Sequence, residues 1–146
     1  MTDQFPRPLR LPPGVDLRRH LEAMAQEDPR LSGFIVCGIG SLESAVLRFA
    51  DQDEGTVLAG PQEVVTLTGS VSGDGAHLHV VVADAQGHIL GGHLCHGSRV
   101  YTTMEILLLC PEGWQLGRKR DAATGHLELT ISPSRPRHPP LPESPG

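Results

Sequence analysis

Residues 73–105 read GDGAHLHVVVADAQGHILGGHLCHGSRVYTTME. His77 and His79 stand two apart in the strand-like run AHLHVVVA. Side chains alternate across a strand, so both imidazoles project from the same side. Asp84-Ala85-Gln86-Gly87 then reads as a hairpin loop, with Gly87 in the left-handed position of a type I turn followed by a bulge. That turn pairs Asp84 with His88. It sets His79 opposite His93 and His77 opposite Cys95, so that three imidazoles converge on one face. A slip of one residue would send His93 to the other face, and a bulge at Gly91-Gly92 would shift it too.

Working outward, the N-terminal Leu9-Arg10-Leu11 alternates as a short strand and is ended by Pro12-Pro13-Gly14. Asp16 occupies a helix N-cap position. Leu17, Leu21, Met24 and Ala25 follow at the spacing of one helical face, and Asp28-Pro29 stops the helix. After that the chain is strand and turn: residues 33–39, a turn at Gly40-Ser41, 44–49, 63–71, 76–83, 88–94, 100–109 and 127–131. One helix beside seven or eight short strands predicts an α+β domain: a mainly antiparallel, partly barrel-like sheet with one principal helix. The folding unit is expected to span residues 7–131. Residues 132–146 are expected to form a disordered tail, because six of the last fourteen residues are proline and no apolar period survives there.

The net charge is -5, and of the twelve basic residues only Lys119 is a lysine. Such a chain gains nothing for a phosphate backbone from its overall charge. Local basic patches remain at Arg118-Lys119-Arg120, which reads as a solvated turn, and at Arg135 and Arg137 in the tail. The three cysteines, Cys37, Cys95 and Cys110, sit in apolar runs, form no CxxC pair and read as small buried hydrophobes in a reducing compartment. The N-terminal residues hold no apolar stretch of signal-peptide length, and no run approaches a membrane span. The expected location is the cytoplasm, without membrane contact.

The chemistry concentrates in the opening segment. Three neutral imidazoles meeting at a point suit zinc or another divalent metal, with a coordination position left for water or a ligand. The same residues could instead hydrogen-bond one another at a subunit contact. Gly91 and Gly92 weaken their strand and suggest close approach of a ligand or another backbone. Glu105 stands in the apolar run TTMEILLL. It could support a metal-bound imidazole, act as a general acid or base, or pair with Arg99. His96 reads as a turn residue and His88 as part of the hairpin tip. His20, His126 and His138 are isolated.

The string Gly75-Ala76-His77-Leu78-His79, then Gly87 to Leu94, Gly97, Val100, Thr103 and Glu105, resembles the signature of the PPC (plants and prokaryotes conserved) domain family. Leu11 to Leu17, Ile39 to Leu42 and Glu63 to Val71 resemble further parts of its pattern, so that the likeness covers nearly all of residues 7–131. The resemblance implies a homotrimer with the histidines near a subunit boundary, and a fold similar to that of acetolactate decarboxylase, a three-histidine zinc enzyme. Bacterial members are provisionally described as DNA-binding. Plant members contact DNA through a separate R-G-R-P core, which Arg135-Pro136-Arg137 does not reproduce, and their G-R-F-E motif is replaced by Gly60-Pro61-Gln62-Glu63. Three readings follow: a trimeric binding module of DNA-associated or regulatory function, a zinc-dependent enzyme or small-molecule sensor, and a purely structural trimer.

Overall fold

Alternation of buried and exposed residues along the longer strands of the main sheet shapes the architecture of the computed structural model, which describes residues 6–134. Strand β1 (Arg7–Leu11) leads into helix α1 (Leu17–Glu27) and a single 3-10 turn, Pro29–Leu31. Then come β2 (Gly33–Arg48), β3 (Thr56–Leu58), β4 (Gln62–Ser72), β5 (Gly75–Ala83), β6 (Ile89–Leu94), β7 (Arg99–Leu109), β8 (Trp114–Arg120) and β9 (Leu127–Pro133). Seven strands form one sheet in the order β1-β7-β2-β4-β5-β6, with β3 on β2, and β8 and β9 form a separate hairpin. All pairings are antiparallel. The end of β2 also pairs with β6, through Leu47↔Leu94 and Arg48↔His93. Strands β2, β4, β5 and β6 therefore come round to meet one another as a partial ring, short of a closed barrel.

The core lies inside this curl. It takes Ala76, Leu78, Val80 and Val82 from β5, Val100, Met104, Ile106 and Leu108 from β7, and Leu17, Leu21 and Ala25 from α1. Full burial of each such leucine contributes about 1.5–3 kcal/mol. The helix begins where expected: the Asp16 carboxylate accepts from the Arg19 amide at 3.0 Å, and its second oxygen accepts from the Gly97 amide at 2.6 Å. One residue thus caps the helix and fixes it to the segment that follows β6.

Several local expectations are corrected. Residues 33–39 and 44–49 belong to a single sixteen-residue strand, β2. Gly40 does not turn the chain. At φ +152° it accommodates an irregularity in the β2–β7 register, and a side chain there would strike Met104. Arg118-Lys119-Arg120 is the end of β8, paired with β9, rather than a turn. β3 was missed because three residues carry too little period to read. Cys37 is exposed, while Cys95 and Cys110 are half-buried; all three are free thiols. Strand β9 runs on to Pro133, the Ser134 amide donates to the Gly113 carbonyl at 2.9 Å, and the proposed tail from residue 135 on, with Arg135, Arg137 and His138, lies outside the described residues. Among those described, no helix is long and apolar enough to cross a membrane.

Candidate metal centre

Because Ala76, Leu78, Val80 and Val82 face the core, the odd-numbered residues of β5 must face outward, and His77 and His79 are exposed there. The next strand is held in register by its loop. The Asp84 amide donates to the His88 carbonyl at 3.1 Å, the Gly87 amide to the Asp84 carbonyl at 2.9 Å, and Gly87 has φ +82°. The Asp84 carboxylate accepts from the Gln86 and His88 amides, each at 2.9 Å, and meets the His88 ring at 3.0 Å. These bonds, led by that from the His88 amide, hold its carboxyl below the ordinary range. The resulting register places His79 opposite His93. It does not place His77 opposite Cys95. β6 leaves β5 after His93, the Cys95 amide donates to Val46, and His77 faces Ser70 of β4 instead.

The three imidazoles nevertheless gather. One ring nitrogen from each of His77, His79 and His93 lies within 4.8 Å of the others. The Nε2 atoms of His77 and His79 are 3.1 Å apart. The His79 ring meets both neighbours edge-on, with centroids 4.9 Å from His77 and 4.7 Å from His93. Tetrahedral ligation at the usual zinc–nitrogen distance would set ligand nitrogens about 3.3 Å apart; the His77–His79 pair already stands near that spacing, and the set as a whole, within 4.8 Å, would draw in on an ion. Burial, followed by the charge of His79, lowers the pKa of His77; burial, followed by the charge of Arg48, lowers that of His93. Both effects favour the neutral imidazole, the form that ligates. No other cluster of three or more potential metal ligands occurs among the described residues.

The supporting structure was only partly legible in the sequence. Arg18 of α1 donates to the carbonyls of Ala76 and Leu94, each at 3.0 Å, and to Glu22 at 2.9 Å. Glu22 in turn accepts from the Ala76 amide at 3.2 Å and meets His96 at 2.6 Å. The helix thereby ties together the two strands that carry the histidines. Arg18 and Glu22 are spaced i,i+4, which signals a pair on a helix but not its target. Gly92 allows close approach of the β2 backbone: a side chain there would come 2.8 Å from the Arg48 carbonyl oxygen, while Gly91 lies against Val80 and Val81. Glu105 is brought to none of these residues. It is exposed on β7, opposite Arg10 of β1 and Ile39 of β2, because its apolar neighbours in sequence alternate around it. A shallow depression of about 160 Å³ adjoins the histidines, lined by Phe34, Thr68, Gly69, Ser70, His77 and His79.

The Plants and Prokaryotes Conserved (PCC) domain model matches residues 5–110. The chain belongs to this family. Within a wider set of relatives, the PCC chain is 46% identical over 136 residues to a protein of Synechococcus named bifunctional protein GlmU. That alignment covers 93% of this chain and 22% of the relative, so the chain spans about a fifth of the relative's length. Among solved structures, a hypothetical protein of Salmonella enterica is 35% identical, with TM-score 0.82, covering 90% of this chain and 97% of that one. The metal-containing protein AF0104 of Archaeoglobus fulgidus is 29% identical, with TM-score 0.66, covering 89% and 99%. A protein of Ralstonia eutropha provisionally named as DNA-binding shares the fold at 24% identity and TM-score 0.71, covering 86% and 90%.

Proposed function

We propose that this PCC domain is a trimeric, metal-centred binding module of regulatory type, with His77, His79 and His93 holding one divalent ion, most suitably zinc. The gathering of three imidazole nitrogens within 4.8 Å on an exposed strand pair carries the reading. The metal-containing protein AF0104 supports it. Zinc held by three neutral imidazoles keeps a coordination position for an outside ligand and acts there as a Lewis acid. The chain's own contribution is to orient the rings through the Asp84–Gly87 loop and the Arg18 clamp. The depression beside His77 and His79 favours the sensor form of the alternative reading, in which a small molecule rather than DNA is the ligand. The trimer draws support from the apolar side chains left on the outer face of the sheet, with Val36 51% and Ile39 55% exposed. The test is elemental analysis of protein purified from zinc-supplemented medium and dialysed. One equivalent of zinc per chain is expected, and a metal-free protein would overturn the reading.

A further inference from the structure

The hairpin of β8 and β9 lies beyond the residues that match the family, yet it lays a cation against the histidine face. Arg118 donates through one terminal nitrogen to the Ser70 hydroxyl at 2.6 Å and through the other to the Leu127 carbonyl at 3.3 Å. Ser70 is buried and stands directly across from His77 in the β4–β5 pairing, and it lines the depression together with His77 and His79. The Asp74 carboxylate accepts from the Arg118 amide at 3.0 Å, pinning the strand in place. Among the described residues, no carboxylate lies within ion-pair distance of the guanidinium, and its Nε is buried without an acceptor. A half-buried cation with no anion in contact is costly to hold: burial lowers its pKa, and Glu128, acting from beyond ion-pair distance, offsets this only in part. The Ser70 oxygen accepts from Arg118 and keeps its own hydrogen to donate. Around the imidazoles the nearby charges are mainly arginines: Arg18 and Arg118 act on His77, and Arg48 and Arg18 on His93, against the lone carboxylate of Glu128 on His77. A divalent ion would add to this positive field within an acidic chain.

We propose that the open position of the metal centre takes a small carboxylate anion, with one oxygen on the metal and the other received by the Arg118 guanidinium and the Ser70 hydroxyl. This rests on the metal-centre reading and names its ligand class. A carboxylate offers two oxygens in one plane, which suits a metal on one side and a guanidinium on the other. The experiment loads the purified full chain with cobalt(II), whose visible absorption reports changes in coordination, and titrates it with sodium acetate, inorganic phosphate and uncharged acetamide. Acetate is expected to shift the bands and saturate, and acetamide to leave them unchanged. Arg118→Met is expected to take up cobalt as the wild type does but to bind acetate at least about tenfold more weakly, with Arg118→Lys intermediate. Ser70→Ala, which keeps the hairpin's cation, should weaken acetate too, and it supplies the measurement if Arg118→Met fails to fold. Acetate binding that is unchanged in these variants, or acetamide binding as well as acetate, overturns the inference while leaving the metal centre standing. Phosphate binding tighter than acetate would overturn the choice of carboxylate. Failure of the wild type to take up cobalt would overturn the metal centre and this inference together.

Discussion

The three rings form a nearly equilateral triangle, His79 edge-on to both partners and His77 stacked on His93 at 5.3 Å, so losing any one of them leaves only two ligands. His79→Ala is expected to lower zinc affinity by more than the roughly 10–100-fold typical of losing an outer support, whereas His96→Ala, whose ring meets Glu22 instead, should retain zinc. Competition with a chromophoric chelator measures both. The depressed pKa values of His77 and His93 set a pH dependence as well. Folding disfavours their protonation, so the unfolded chain binds more protons in the window from the ordinary value of 6.5 down to the lowered folded values. Metal-free protein should lose stability as pH falls through that window and regain it as pH rises; thermal melts across the imidazole range check the sign. These histidines were readable because the two-residue strand period and one glycine-bearing loop fix where they point. Arg118 was not, since nothing in a strand's own period says which distant face its hairpin will cover.

At the scale of elements, Asp16 makes one bond within the helix and one outside it, at 3.0 and 2.6 Å. Asp16→Ala is expected to cost about 1–2 kcal/mol in urea unfolding, and unchanged stability would show that the cap is idle. Both the helix and the hairpin were legible because caps and turn glycines act locally. Strand β2 was split in the sequence reading because Gly40-Ser41 has the composition of a turn. The neighbours on both sides, Val64 of β4 and Met104 of β7, decide that the strand runs on through Gly40. The same non-local decision turned β6 away from β5 after His93 and onto β2, which removed the expected Cys95 partner from His77.

For the whole molecule, light scattering at micromolar concentration is expected to give about three times the monomer mass of 15.6 kDa, the apolar outer face being covered in the trimer. A monomer would remove the assembly and any role for the histidines at its boundary. DNA affinity should be weak and steeply salt-dependent, because Arg118 is turned onto Ser70 and Arg120 donates to the Gly125 carbonyl. Duplex titrations at two salt concentrations test this, and tight binding that survives high salt would contradict it. The fold class was readable from periodicity, a partly barrel-like sheet included, but the strands that make the partial ring were not, since closure depends on which edges meet. The ring and the pairing of β1 with β7 also govern how the chain comes to be folded. Arg7 lies opposite Leu108, roughly a hundred residues further along the chain. On the ribosome the first strand must therefore wait, its backbone unpaired, until nearly the whole domain has emerged. Contacts of such high order place folding toward the slow, millisecond-to-second end of the range for small domains, and they leave the nascent N-terminal edge as the segment that a chaperone would find exposed.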